Sequence, residues 1–192
     1  MSTTRTTSGM EWNEMIGLVT RLERDQKYIP CLLIATGSFL GLRAGDLLSL
    51  KWTDIINVDE LELNEGKTGK KRKLTINPFL KELLQRISRK QEKQEPFQFN
   101  EPILKNRWGK QFSIQYANRL LHKTLSEYKV KVKNASTHTL RKTFGKRVWE
   151  MDGKSERALI YLSQIFNHSS IQITRRYIGI VEENISNIYL NL

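Results

Sequence analysis

A histidine and an arginine lie three positions apart in the segment ASTHTLRKTF, residues 135–144. If Thr137 caps a helix here, His138 lies in its first turn and Arg141 in the next, and both side chains project from one face. An imidazole supplies a hydrogen-bond donor, and a guanidinium supplies a planar fork that matches phosphate. The pair suits a site that holds one phosphate, but the same spacing also arises by chance on ordinary surfaces.

A further arginine, Arg43, follows a Gly-Leu turn in the segment GSFLGLRAGDLLSLKW, residues 37–52. Asp46 lies three residues later, so Arg43 is a surface residue, an ion pair with Asp46, or a phosphate ligand. A buried guanidinium without a partner is destabilising, and we therefore expect Arg43 to have one.

The densest group of cations in the chain lies in NEGKTGKKRKLTI, residues 64–76. Its members are Lys67, Lys70, Lys71, Arg72 and Lys73. A lysine in a hairpin turn is usually just solvated, but a cationic hairpin also suits a place beside a DNA backbone. One of these lysines could protonate a leaving oxygen.

The segment LSQIFNHSSIQITRRYIGI, residues 162–180, contains a second histidine and a tyrosine. His168 ends an apolar stretch, and Tyr177 follows Arg175 and Arg176 nine positions later. A tyrosine on an apolar stripe usually belongs to the core, but two flanking arginines make that assignment less natural here.

The charge balance favours a polyanionic partner. The 192 residues include 32 Lys and Arg against 20 Asp and Glu, which gives a formal net charge of +12. Such an excess is typical of proteins that bind nucleic acid, although a basic protein that only needs solubility is the alternative. The length allows one domain, or one domain and a small appendage. The hydrophobic fraction of 39% is enough for that domain to pack a core.

No metal or cofactor is predicted. Cys31 is the single cysteine, which excludes an intrachain disulfide and a multi-cysteine zinc site, and we expect it to pack as a small hydrophobe. The three histidines lack ligand-like spacing. The apolar run at 29–42 is too short and polar to span a bilayer, and the N-terminus has no signal-peptide pattern. A reducing, cytoplasmic setting in a prokaryote, near the nucleoid, is the expectation.

The elements that must position these groups are mostly helical. Apolar spacing predicts a mainly helical α+β fold with one small antiparallel hairpin in the first half, its strands at 60–64 and 72–76. The segment KWTDIINV, residues 51–58, is predicted to be extended, and 90–102 to be a loop. Helices are predicted at 11–25, 28–40, 43–50, 78–91, 112–128, 138–151, 156–166, 170–178 and 181–190.

In their order along the chain, these segments resemble the tyrosine recombinases, the integrase family of site-specific DNA recombinases. The matching text is TGSFLGLRAGDLLSLKW, GKTGKKRKL, THTLRKTF and IFNHSSIQITRRYIGI. The resemblance covers about residues 11–190, the whole catalytic domain. Asn167 replaces the glycine that usually precedes the second histidine, and Asp46 replaces a common glutamate; neither change removes a catalytic group.

The resemblance implies a metal-free transesterification at one DNA phosphodiester. Tyr177 would attack phosphorus and form a 3′-phosphotyrosyl bond, while a 5′-hydroxyl is released. The other groups implied are Arg43, Arg141 and His168 on the phosphate oxygens, His138 as general base and Lys67 as general acid. Asp46 would hold Arg43 or His138 in place. Lys70 and Lys71 share the turn with Lys67, so the identity of the general acid stays open.

Double-stranded DNA is the expected partner. The protein is expected to be a monomer without DNA and to assemble into a homotetramer on paired DNA sites. Further cations are predicted to contact DNA phosphates. They are Lys70, Lys71, Arg72, Lys73, Arg107, Lys110, Lys142 and Lys146. Residues 1–10 are predicted to be disordered, 11–180 to form the catalytic domain, and 181–192 to form a tail helix that is exchanged between subunits.

Family members usually have an N-terminal helical domain that closes around DNA, and the chain has no room for one. A catalytic domain or a fragment is therefore expected, with a mobile-element integrase as its favoured source. Three alternatives remain: a catalytically silent DNA-binding module of the same fold, a type IB topoisomerase-like enzyme, and a helical RNA-binding or regulatory protein with accidental motifs.

Overall fold

The structure, a computed structural model, describes residues 6–64, 66, 69, 71–92 and 98–180. This part of the chain is mainly helical with a single hairpin, as the sequence predicts. Its helices are α1 (Trp12–Arg24), α2 (Tyr28–Leu40), α3 (Ala44–Leu48), α4 (Trp52–Ile55), α5 (Pro78–Glu92), α6 (Ile114–Glu127), α7 (Thr137–Met151), α8 (Glu156–Phe166) and α9 (Ile171–Ile178). The chain forms two compact units that divide between Phe144 and Gly145, within α7.

Helix α2 is the centre of the first unit. It is apolar on nearly all sides, as a fully enclosed helix must be, and it contacts α1, α3, α5 and α6. Cys31 on this helix is completely buried, which confirms its prediction as a small core residue. Burial in this apolar environment raises the pKa of the Cys31 thiol to about 12.

Amphipathic helices surround α2. Helix α1 buries Met15, Leu18, Val19 and Leu22, which recur at helical spacing. An aromatic row covers one side of this layer, with Phe39 at 4.9 Å from Trp12 and 5.5 Å from Phe79 between ring centroids. None of the described helices has the length and apolar character needed to cross a membrane.

The predicted hairpin is present as strands β1 (Glu60–Asn64) and β2 (Lys71–Thr75), which pair antiparallel. The second strand begins one residue earlier than predicted. Glu62 and Lys73 face each other in the register, and their side chains form an ion pair at 2.6 Å.

The prediction that residues 51–58 are extended is wrong for residues 52–55. Residues Trp52–Ile55 form the single helical turn α4. The turn forms because Asp54 Oδ2 accepts a hydrogen bond from Lys51 N at 2.8 Å, and because the Trp52 side chain is buried in the core. Only Lys51 keeps an extended pairing, as an isolated bridge to Pro102.

The prediction of disorder over residues 1–10 is corrected for residues 6–10. Met10 is buried, and its backbone N–H donates to Thr143 Oγ1 at 2.9 Å. Ser8 N donates to Lys133 O at 3.0 Å, so this segment is bound along the start of α7 and the loop before it. Residues 1–5 lie outside the described part of the chain.

The second unit contains the end of α7 followed by α8 and α9. Ser155 and Ser170 cap the two later helices, since their side chains accept hydrogen bonds from Ala158 N and Ile173 N. Helix α8 has the predicted bounds, and α9 starts one residue later than predicted. The tail helix predicted at 181–190 lies outside the described residues.

Candidate active site

Arg141 is bound to the turn that carries Arg43. Arg141 is 5% exposed, and its Nη1 donates to the carbonyl oxygen of Gly41, two residues before Arg43. Gly41 ends α2 in the left-handed conformation, with φ 58°, and a Cβ there would lie 2.5 Å from Phe144 Cδ1. The turn requires glycine both for its backbone and for this close approach to α7.

Arg43 is the residue immediately before α3, with an extended backbone at φ −68° and ψ 153°. Its carbonyl accepts Leu47 N at 2.8 Å, which starts the helix, and its side chain is partly exposed. Asp46 lies in the first turn of α3, where its Oδ1 accepts a hydrogen bond from Gly66 N at 2.9 Å. A buried arginine and a partly exposed one therefore belong to neighbouring segments of the first unit.

His138 lies in the first turn of α7, as predicted, but the cap is Ser136 rather than Thr137. Ser136 Oγ accepts from His138 N at 3.3 Å, while Thr137 N donates to Asn118 Oδ1 at 2.8 Å. Desolvation lowers the pKa of His138 below its ordinary value, and the cations of Lys142 and Arg141 lower it further. The imidazole is thereby biased toward its neutral form, in which one ring nitrogen can accept a proton.

Lys142, which was predicted to contact DNA phosphates, is buried in the structure. The residue is 7% exposed, and its Nζ donates to Thr7 O at 2.7 Å. Burial lowers the pKa of Lys142. Its ammonium fixes the N-terminal segment and contributes positive charge next to His138.

In the second unit, His168 and Tyr177 lie together around Phe166. The His168 and Tyr177 ring centroids are 5.3 Å apart, and each ring also contacts Phe166 edge-on or tilted. Asn167 ends α8 in the left-handed conformation, with φ 52°, which is the position where the family usually has glycine. Asparagine tolerates this conformation better than most residues, so the turn before His168 is preserved.

Thr174 was not among the predicted site residues. Its Oγ1 lies 2.9 Å from His168 Nδ1, and the residue is completely buried. Thr174 is three positions before Tyr177 on α9, so both side chains share one helix face. That spacing is the sequence signal that could have identified it.

The remaining predicted cations have varied surroundings. Lys67 and Lys70 lie outside the described residues. Lys71 and Lys110 are exposed, Arg72 is partly exposed, and Lys73 pairs with Glu62. Arg107 is exposed and its guanidinium lies 4.2 Å from the Trp108 ring centroid. In the second unit, Lys146 pairs with Glu150 at 3.8 Å.

Among the described residues, no group of three or more His, Cys, Asp or Glu side chains is arranged to hold a metal ion.

Comparisons with known proteins agree on one family. The model of the phage integrase family matches residues 10–183. A curated relative, the probable integrase/recombinase YoeC of Bacillus subtilis (strain 168), is 36% identical over 143 residues, which are 74% of this chain and 72% of YoeC.

Solved structures of recombinases have the same fold. The XerH site-specific recombinase bound to its difH substrate, in a pre-cleavage complex, matches 98% of this chain with a TM-score of 0.70 at 16% identity. A lambda integrase dimer bound to a COC′ core site matches 96% with a TM-score of 0.63 at 18% identity. The chain spans about half of these two proteins, 55% of the XerH chain and 52% of the lambda integrase chain.

Proposed function

Because the chain belongs to the phage integrase family, whose model matches residues 10–183, we propose that it cuts and rejoins duplex DNA through a covalent phosphotyrosyl intermediate. The observation that carries the proposal is the pairing of Tyr177 with His168 in one unit and of Arg141 with the Arg43 turn in the other. These are the residue types that the transfer of a phosphoryl group between oxygens requires when cationic side chains supply the stabilising charge.

In the first step, the Tyr177 phenol oxygen attacks phosphorus and the bond from phosphorus to the 5′-oxygen breaks. The phenol proton goes to a base, and the 5′-oxygen takes up a proton from an acid, so the DNA ends as a 3′-phosphotyrosine and a free 5′-hydroxyl. A free tyrosine has a pKa of about 10, so the phenol must be activated by its surroundings. Because the bond energy is retained, the 5′-hydroxyl of another strand can reverse the step.

The guanidinium groups of Arg43 and Arg141 stabilise the charge that develops on the phosphate oxygens. Arg141 is buried and anchored before any reaction, which is the arrangement that makes such stabilisation effective. His168 donates to a non-bridging oxygen. Its orientation is fixed by the contact with Thr174.

His138 serves as the general base, and Lys67 as the general acid on the leaving oxygen. The lowered pKa of His138 keeps the imidazole neutral at pH 7, as a base requires. Lys67 is assigned because it follows Gly66 in a segment that matches the family. Lys70 and Lys71 are the competing lysines of the same segment.

Duplex DNA is the proposed substrate. The formal charge of +12 supports it, and so do the XerH and lambda integrase structures, which are bound to a difH substrate and to a COC′ core site. Assembly into a tetramer on paired sites, with residues 181–192 exchanged between subunits, is part of the same proposal. Exposed cations of the first unit, Lys71, Arg107 and Lys110, would contact phosphates.

A nicked duplex tests the reaction directly. Cleavage near the nick releases a short strand with the 5′-hydroxyl, and once it diffuses away the covalent intermediate cannot be reversed. The chain is incubated with a pool of such duplexes of randomised sequence, and labelled DNA that stays attached to protein in detergent is recovered and sequenced. The expected result is an adduct with the wild-type chain and none with Tyr177→Phe. Binding without an adduct would identify a silent DNA-binding module, and an adduct with Tyr177→Phe would contradict the assigned nucleophile.

A supercoiled plasmid with and without a pair of the recovered sites separates the two enzyme classes. A recombinase rearranges only the plasmid that carries the paired sites. Relaxation of both plasmids at equal rates would instead identify a topoisomerase.

A further inference from the structure

Among the described residues, a hydrogen bond joins the helix that follows Arg43 to Gly66, in the turn of the cationic hairpin. Asp46 Oδ1 accepts from the backbone N–H of Gly66 at 2.9 Å, across 20 positions of sequence. Gly66 lies between Asn64, the last residue of β1, and Lys71, the first residue of β2. The bond therefore lies beyond Asn64 and Lys71, the last pair of the strand register.

The contact also explains the residue type at position 66. A Cβ built on Gly66 would lie 3.3 Å from Asp46 Oδ1, closer than most Cβ contacts. The carboxylate and the turn backbone thus approach each other at a distance for which glycine is best suited.

We propose that Asp46 is a positioning residue that holds the hairpin turn in place, and with it the lysine that follows Gly66 in the chain. This inference rests on the proposed function, in which Lys67 protonates the leaving 5′-oxygen. A carboxylate accepts backbone hydrogen bonds strongly because it is charged, so the bond from Asp46 can anchor the exposed Gly66. The proposed role of Asp46 differs from the expectation that its carboxylate holds Arg43 or His138 in place.

Three variants isolate the bond. Asp46→Ala removes the acceptor, whereas Asp46→Asn keeps an oxygen acceptor and removes only the charge. The matched control is Asp59→Ala, which removes an exposed carboxylate at the other end of the same hairpin, where Asp59 pairs with Lys81 at 2.5 Å. Asp59 has no part in the proposed chemistry.

Amide exchange tests the anchor without DNA. The exchange rate of the Gly66 N–H is followed by NMR at low temperature and at a pH well above the ordinary carboxyl pKa. It should rise about tenfold in Asp46→Ala, as expected when one hydrogen bond to a charged acceptor is lost. Asp46→Asn should give a smaller rise, and Asp59→Ala none. An unchanged exchange rate of the Gly66 N–H in Asp46→Ala would overturn the proposal, regardless of any DNA cleavage activity.

Matched DNA substrates test the consequence for chemistry. In one substrate the leaving 5′-atom at the cleaved phosphate is oxygen, and in the other it is sulfur. A thiolate leaves without help because a thiol has a pKa of about 8.5, far below that of an alcohol. A variant that has lost its general acid is therefore slow only on the oxygen substrate.

Asp46→Ala should cleave the oxygen substrate about 10²-fold more slowly than the wild type, and sulfur should restore most of that loss. Arg43→Ala is the reference, since it should be slow on both substrates. If Asp46→Ala is equally slow on both, Asp46 acts on the phosphate charge through Arg43, and the proposal is overturned.

Failure of the inference and failure of the proposed function are distinguishable. If the wild-type chain forms no adduct on either substrate, the cleavage proposal fails, while the amide exchange of Gly66 still decides whether Asp46 anchors the turn. If the wild type cleaves both substrates and the variants show no difference between oxygen and sulfur, only the role of Asp46 fails.

Discussion

The hydroxyl of Thr174 is a hydrogen-bond partner of His168, and the direction of that bond sets the tautomer of the ring. It lies 2.9 Å from Nδ1, and it also lies 3.5 Å from the carbonyl oxygen of Ser170. If the hydroxyl donates to Nδ1, the proton of the neutral ring is on Nε2, which can then donate to a phosphate oxygen. The proposed role of His168 requires this tautomer.

Thr174→Val retains the shape of the side chain and removes the hydroxyl. Adduct formation should slow about tenfold, which corresponds to about 1.4 kcal/mol for one lost hydrogen bond at the site. Thr174→Ser should retain most of the wild-type rate. The ring nitrogen shifts of His168 measured by NMR report the tautomer, and a Val variant with the wild-type rate and tautomer would contradict the assignment.

The pKa of His138 depends on Lys142. Lys142→Gln removes a buried positive charge, so the pKa of His138 should rise and the acid limb of adduct formation should move to higher pH. The carbon-bound ring protons of His138, titrated by NMR, check the shift directly. Lys133→Gln is the control, because this exposed lysine is not a cause of the His138 shift. A downward shift or none would contradict the electrostatic link.

The same shift has a stability consequence. Because the folded pKa of His138 is lowered, the unfolded chain binds more protons between the folded and unfolded pKa values. The free energy of unfolding therefore increases with pH through that window. Below the folded pKa of His138, its destabilising effect on the fold is complete.

At the scale of elements, the junction of α2 with α7 depends on Gly41. Gly41→Ala would force a Cβ to within 2.5 Å of Phe144 Cδ1, on a residue with φ 58°. We expect the free energy of unfolding to fall by about 2–3 kcal/mol, from the left-handed conformation and the overlap together. Chemical denaturation measures the loss.

Gly17→Ala is the matched control for Gly41→Ala. Position 17 lies inside α1, and a Cβ there meets nothing within 4 Å. Alanine should therefore stabilise the chain by about 0.5–1 kcal/mol through helix propensity. Equal effects of the two substitutions would show that the approach of Phe144 to Gly41 does not limit stability.

Periodicity and end signals together predicted most of these elements. Helices α2 and α8 have their predicted bounds because strong apolar patterns coincide with clear end signals, such as Gly41 after α2 and Ser155 before α8. The turn α4 was missed because its causes, the Asp54 side-chain contact with the Lys51 backbone and the burial of Trp52, have no periodic signature.

For the candidate site, the residue types were predictable and their partners were not. The burial of Lys142 depends on Thr7, 135 positions away, and the partner of Asp46 is a backbone N–H in a distant turn. Thr174 was overlooked because a threonine next to an apolar helix face usually signals packing only. Such long-range contacts follow from tertiary structure and not from local spacing.

At the scale of the whole molecule, the positive charge predicts DNA binding that weakens steeply with salt. If about five phosphates are neutralised, doubling the salt concentration should lower the affinity about 20-fold. Arg107→Ala and Lys110→Ala should each reduce the slope of log affinity against log salt by about one unit. Fluorescence anisotropy of a labelled duplex measures these slopes.

Lys142→Gln provides the internal comparison for this series. Its ammonium is bound to Thr7 O, so the salt slope should stay unchanged although a positive charge is lost. A slope reduced as much as in Lys110→Ala would mean that Lys142 reaches a phosphate after all, and that the N-terminal segment moves when DNA binds.

Cys31 makes the native chain a convenient background for site-directed fluorophores. It is the one cysteine in 192 residues, and its enclosed, protonated thiol reacts poorly with maleimides at neutral pH. An exposed Lys71→Cys would therefore take up dye selectively beside the hairpin turn, without prior removal of the endogenous thiol. Stopped-flow emission from that dye would then follow the arrival of a duplex in real time.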